Sequence, residues 1–251
     1  MQTYTQTIRT AVVTGGAQGI GYAIAQALAE AGCQVAIADI NQEKGEAAAQ
    51  ALSEGHNVQF FKLDVSRVAE CAPFCEAVAQ AFGGIDIVIN NAGILHSTPV
   101  EDITEAEWDR MSDINLKGNF FLTQAALPYL KKSNAPRVIN MASLAGRNGG
   151  YGNGVCYAAT KAGIIGLTQA LARRLAPHRI TVNAIAPGTT ESDIIKAFTP
   201  ERIQELQAMI PLGRLGKPED IAALAAFLAS EASGFITGAV YDINGGMFIG
   251  A

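Results

Sequence analysis

Short apolar runs recur along this chain, and each is followed by a stretch whose apolar positions fall every three or four residues. The runs are TAVVT (10–14), VAIAD (35–39), VQFFK (58–62), DIVIN (86–90), RVINM (137–141), ITVNAI (180–185) and AVYDI (239–243). Their length and their β-branched residues predict strands. The intervening periodicity predicts helices over 20–30, 42–53, 67–82, 105–132, 156–176 and 218–229. Strands alternating with helices predict parallel pairing through right-handed crossovers. The strands are apolar almost throughout, which predicts that both sheet faces are covered. No repeat or linker interrupts the pattern. The expectation is one α/β domain over 1–251, a doubly wound parallel sheet of about seven strands with helices on both faces.

Composition narrows the functions. Hydrophobic residues make up 49% of the chain, enough to build a large core. Net charge is −5 and the longest basic clusters are the pairs Lys131-Lys132 and Arg173-Arg174, which argues against nucleic acid as a partner. The longest apolar run, 221–229, is too short to span a bilayer. The first residues carry no secretory pattern, so a cytoplasmic protein is expected. Cys33, Cys71, Cys75 and Cys156 form no C-x-x-C pair and the three histidines are scattered. Buried thiols and no metal site are expected.

Three places carry candidate chemistry. The first strand runs into TGGAQGIG (14–21) and then into a helix. Gly15, Gly19 and Gly21 would let the backbone turn and approach a pyrophosphate at the helix N-terminus. The second strand ends on Asp39, where a dinucleotide fold places the acid that bonds the adenosine ribose. A carboxylate there repels a 2′-phosphate, and Gln18 and Ile40 are neutral, so NAD is expected over NADP. The third place is Ser143 with Tyr157 and Lys161. Tyr157 is the only one of six tyrosines with a lysine four residues on, which puts both on one helix face. Lowering a phenol pKa by ~3 units takes roughly 4 kcal/mol. An ammonium about 4 Å away at an effective dielectric near 20 supplies about that much. Lys161 would then make Tyr157 a proton acceptor for an alcohol whose oxygen Ser143 holds.

With these motifs in order, the sequence resembles the short-chain dehydrogenase/reductase family, in its compact single-domain branch with a Rossmann-type sheet. TGGAQGIG matches the family's coenzyme loop and NNAG (90–93) its N-N-A-G motif. Asn115 in INLKG, Ser143 in MASLAG, and Tyr157 and Lys161 in YAATK fall at its catalytic positions. APG (186–188) and the C-terminal SGFITGAVYDINGG match as well. The resemblance implies Tyr157 as general acid/base, Lys161 as its activator and nicotinamide-ribose ligand, and Ser143 as the orienter of the substrate oxygen. It also implies that Asn115 bends its helix and holds a water of a proton relay. The coenzyme contacts it implies are Gly15, Gln18, Gly19, Ile20 and Gly21, then Asp64, Val65, Asn91, Ala92 and Gly93, then Tyr157 and Lys161, then Pro187, Gly188, Thr190 and Ser192. Two departures stand out. The Ser143–Tyr157 interval is one residue longer than the commonest family spacing, and Ser192 replaces a more frequent threonine.

Two segments are expected to shape the substrate pocket, the loop 145–155 and an amphipathic lid over 189–212. Leu95, His96, Ala145, Arg147, Asn153 and Ile194 are its candidate lining. Small residues at Ala125, Ala126, Ala162, Gly163 and Gly166 suit close helix packing, and relatives of this type are usually homotetramers. The resulting expectation is an NAD-dependent enzyme interconverting a secondary alcohol, favoured as a sugar, polyol or other small polar alcohol, with its ketone. An NADPH-dependent 3-oxoacyl thioester reductase is the alternative within this fold. A non-catalytic nucleotide-binding regulatory protein is the alternative outside enzymology.

Overall fold

The computed structural model describes residues 8–150, 152, 154–192, 195 and 198–250. All seven expected strands form: β1 Thr10–Thr14, β2 Gln34–Asp39, β3 Val58–Lys62, β4 Ile87–Asn90, β5 Arg137–Met141, β6 Thr181–Pro187 and β7 Val240–Ile243. They pair in one sheet in the order β3-β2-β1-β4-β5-β6-β7, and every pairing is parallel. The order reverses direction between β1 and β4. A crevice opens at such a point, beyond the carboxyl ends of the strands.

Period-two alternation sorts the strand side chains into two layers. Ala11, Val13, Val35, Ile37, Ile87 and Ile89 pack with α1 (Gly19–Glu30) and α2 (Gln42–Leu52) on one face. Val12, Ala36, Ala38, Val88 and Val138 pack on the other with α3 (Val68–Phe82), α5 (Gly118–Leu130) and α7 (Val155–Leu175). The last helix, α9 (Pro218–Ala229), returns to the first face beside α1. The sheet is thus doubly wound, as expected. The four cysteines are buried and free.

The helix expected over 105–132 is broken. It runs as α4 (Glu105–Ser112), a π-helical segment Asp113–Lys117 and α5. One wide turn of this kind is typical of functional sites. Two further short helices form: α6 (Leu144–Asn148), capped by the Ser143 hydroxyl, and α8 (Pro200–Ala208), capped by Thr199 within the amphipathic segment expected as a lid. No helix among the described residues is long and apolar enough to cross a membrane. None of their His, Cys, Asp and Glu side chains group as a metal site.

Candidate active site

The end of β1 is fastened to the end of β4. The Thr14 hydroxyl donates to the Ile89 carbonyl (3.3 Å) and accepts from the N–H groups of Asn91 and Ala92 (3.0 Å each). The Asn91 amide donates in return to the carbonyls of Thr14 (2.9 Å) and Gly15 (3.2 Å). Against this knot Gly21 has no room for a side chain, since a Cβ would lie 2.1 Å from the Gly15 oxygen. Gly19 is the opposite case: its φ of +57° demands glycine, and a Cβ there would meet nothing within 4 Å. The backbone therefore presents a bare, open surface at the start of α1, the cradle a pyrophosphate needs.

Asp39 closes the far end of this loop. Its carboxylate accepts from the N–H groups of Ala17 (3.3 Å) and Asn41 (3.0 Å), while Asn41 itself caps α2 by accepting from the Lys44 N–H (3.0 Å). A cavity of about 450 Å³ lies over the loop. Of the expected coenzyme contacts, Gly15, Gln18, Gly19, Ile20, Gly21, Asp39, Asp64, Val65, Asn91, Ala92, Gly93, Thr190 and Ser192 line it. Pro187, Gly188, Tyr157 and Lys161 do not; Gly188 packs against Asn244, where a Cβ would be 2.8 Å away. Asp64 also braces its own turn, accepting from the Ser66 N–H (3.0 Å) and hydroxyl (2.6 Å). One expectation needs correcting. The neutral residues 18 and 40 do not leave this end without a cation, because the Lys44 ammonium donates to the Gln18 side-chain oxygen (2.7 Å).

Ser143, Tyr157, Lys161 and Asn115 come together beneath the far end of the groove. Tyr157 and Lys161 occupy one face of α7, with Nζ 5.7 Å from the phenol ring centre. The Ser143 hydroxyl accepts from the Ala145 N–H (3.1 Å) and lies close enough to the phenol to influence its titration. Lys161 is buried, and its ammonium donates to the Met141 carbonyl (2.6 Å). Burial pulls its pKa down to about 8. The expected electrostatics of the phenol are corrected here. Burial raises the Tyr157 pKa, and the Ser143 hydroxyl is the opposing influence. The ammonium is turned onto the main chain, donating to the Met141 carbonyl.

Asn115 sits in the π segment. Its side chain accepts from the Ile94 N–H (2.8 Å) and donates to the Ile94 carbonyl (2.9 Å) and the Thr160 hydroxyl (3.2 Å). These bonds staple the segment after N-N-A-G to α7. Gly93 joins the two halves of the site. It lines the cavity, and a Cβ there would lie 3.2 Å from Asn115 Oδ1 and 3.5 Å from Lys161 Nζ.

The expected substrate lining fares less well. Arg147 is partly engaged within the protein: it pairs with Asp242 on β7 (3.2 Å) and stacks on Phe248, 4.8 Å from the ring centre, while its Nε has no partner among the described residues. Ala145 is buried inside α6. Leu95 and His96 are exposed, and the His96 carbonyl presses on Gly154, where a Cβ would be 2.1 Å away. Asn153 and Ile194 lie outside the described residues. Of the small residues, Ala126 is buried in the core while Ala162 and Gly166 are exposed. Sequence reasoning missed the Thr14 knot, the Thr160 partner of Asn115 and the cavity-lining Arg110, Ile114 and Glu191. Thr14 was legible, as a hydroxyl at a strand end facing a glycine turn. The others depend on how α4 and the lid approach the sheet.

Residues 15–248 match a family model described as enoyl-(acyl carrier protein) reductase. The chain is 38% identical over 247 residues to a 3-oxoacyl-[acyl-carrier-protein] reductase FabG of Aquifex aeolicus, covering 96% of this chain and 97% of the relative. It is 40% identical over 243 residues to the Vibrio cholerae protein of that name, with 96% and 98% covered. Among solved structures it superposes on gox2181 with a TM-score of 0.91 at 34% identity, covering 96% of this chain and 95% of that one. A Brucella melitensis protein described as a short-chain dehydrogenase/reductase, glucose/ribitol dehydrogenase, gives 0.90 at 35%, with 96% and 97% covered.

Proposed function

This chain belongs to the short-chain dehydrogenase/reductase family, an oxidoreductase family that binds a nicotinamide coenzyme, and we propose that it reduces 3-oxoacyl thioesters to 3-hydroxyacyl thioesters. The observation that carries the substrate class is the identity of 38–40% along nearly the whole chain to reductases of that name. Of the polar groups a sugar or polyol would need, Arg147 is turned toward Asp242 and Phe248. Leu95 and Val155, on the segments expected to border the substrate, are exposed and apolar, and those segments meet at the His96–Gly154 contact. The polyol reading keeps one support, the likeness to a Brucella protein called a glucose/ribitol dehydrogenase.

When bound, the nicotinamide supplies the hydride. The Ser143 hydroxyl orients the ketone oxygen, and Tyr157 gives that oxygen its proton as negative charge develops there. A phenol whose pKa is raised by burial holds its proton at neutral pH, which suits an acid in the reducing direction. Once the proton has left, the Lys161 ammonium stabilises the phenolate. Asn115 is a positioning residue, fixing the Ile94 peptide against Thr160. One domain carries both coenzyme and catalytic groups in this reading. It is cytoplasmic and works as a homotetramer.

Asp39 supports NAD(H), since a carboxylate at the ribose end of the groove repels a 2′-phosphate. Lys44, reaching Gln18 at the same rim, is the one feature of the groove supporting NADP(H). The test is turnover of a 3-oxoacyl thioester, a 2-enoyl thioester and a panel of polyols with each coenzyme, followed by nicotinamide absorbance. Oxoacyl turnover with NADH is expected to dominate; a polyol or enoyl thioester used more efficiently refutes the substrate assignment. Tyr157→Phe is expected to abolish turnover while coenzyme still binds. Activity at a tenth of wild type, about 1.4 kcal/mol of barrier, removes Tyr157 from its role.

A further inference from the structure

The charges lining the coenzyme cavity are Asp39, Asp64, Glu191 and Arg110. Three are acidic, in a groove that must accept a doubly anionic diphosphate. Arg110 is the only cationic side chain among the described lining residues. It stands on the last turn of α4, lines the same cavity as the glycine loop, and is exposed. Asp64 is partly neutralised by Arg67 (3.5 Å), and the Asp39 carboxylate is held by two backbone N–H groups. Arg110, by contrast, makes no side-chain hydrogen bond or ion pair among the described residues. A guanidinium left free beside such a cavity faces an anion with no competing internal partner.

We infer that Arg110 binds the diphosphate of the coenzyme from α4, within the cavity it shares with the glycine loop. This rests on the nicotinamide-coenzyme reading above. The loop offers the diphosphate backbone N–H groups and the positive end of α1. The guanidinium adds a full charge and planar paired donors, offsetting the repulsion from the three carboxylates. Its solvent exposure makes the contribution moderate and salt-sensitive.

The test is calorimetric binding of ADP-ribose and of adenosine to wild type, Arg110→Ala and Arg110→Lys at low and high salt. The alanine variant is expected to lose roughly tenfold in ADP-ribose affinity at low salt, with the deficit shrinking at high salt. Adenosine binding is expected to be unchanged, and lysine to restore part of the loss. ADP-ribose affinity of Arg110→Ala within twofold of wild type overturns the inference. So does an equal loss for adenosine, which would mean the side chain serves the base. Failure of the wild type to bind ADP-ribose would remove the coenzyme reading itself, a result distinct from either.

Discussion

Replacing Lys161 with methionine should stabilise the protein while destroying its activity. The ammonium is 5% exposed and its pKa falls from 10.5 to about 8. That drop corresponds to roughly 3 kcal/mol spent at pH 7 on keeping the charge in the interior. Methionine fills a similar volume without that cost, but it abandons the Met141 carbonyl, a loss of about 1–2 kcal/mol for a buried acceptor. A net gain of about 1–2 kcal/mol remains at pH 7. The pH dependence isolates the cause. A lysine whose folded pKa lies below its unfolded one binds fewer protons folded than unfolded between those values, so wild-type stability rises with pH across 8 to 10.5. The variant lacks this slope. Urea titrations of both proteins at pH 7 and pH 10 should show the stability difference shifting toward wild type by about 2 kcal/mol. A difference that does not change with pH, or a variant less stable by more than about 1 kcal/mol at pH 7, would refute the account of Lys161 as a strained, functionally retained charge.

The same pKa predicts a falling limb in ketone reduction: the Lys161 charge is present below about 8 and lost above it, so kcat/KM should drop as pH rises through that value. A limb displaced by two units or more would detach Lys161 from the phenolate. Asp39→Ala should weaken NAD(H) and relax its preference over NADP(H), measured as the ratio of the two dissociation constants; an unchanged ratio takes Asp39 out of coenzyme choice. Arg147→Met should lower thermal stability by about 1 kcal/mol through loss of a partly buried pair and its aromatic contact, with coenzyme affinity intact. An unaltered melting temperature would mean that the Asp242 pair carries no stability.

Pattern alone located the strands because a sheet covered on both faces must be apolar at every position, so each strand reads as an unbroken run. The glycine loop and Asp39 were legible for a related reason: a backbone turn over an anion tolerates few side chains, and Gly19 and Gly21 mark it directly. Periodicity read the helix over 105–132 as continuous because a π turn uses ordinary helix formers, and DINLK carries no glycine or proline to announce it; only the family resemblance, through Asn115, pointed to a bend there. The internal partners of Arg147, Asp242 and Phe248, were missed because they lie nearly a hundred residues away and meet it only through β7. The phenol was misjudged for a similar reason. A spacing of four places two side chains on one face, yet it says nothing of how deeply the face is buried or where the amine turns.

The wide turn at Asp113–Lys117 has a geometric consequence beyond the residue it displays. Met111 and Leu130 are both fully buried, nineteen positions apart. Five turns of ordinary α-helix take about eighteen. The surplus residue is absorbed in the bulge, so α4 and α5 keep their inward faces aligned only while it is there. Deleting any one of those five residues would rotate the downstream helix by about 100° relative to the upstream one. Either Asn115 would swing away from Ile94, or Leu122, Ala126 and Leu130 would leave the sheet. The phase of the core and the aim of the reactive centre are therefore locked to a single extra position, and the chain cannot shorten there without forfeiting one of them.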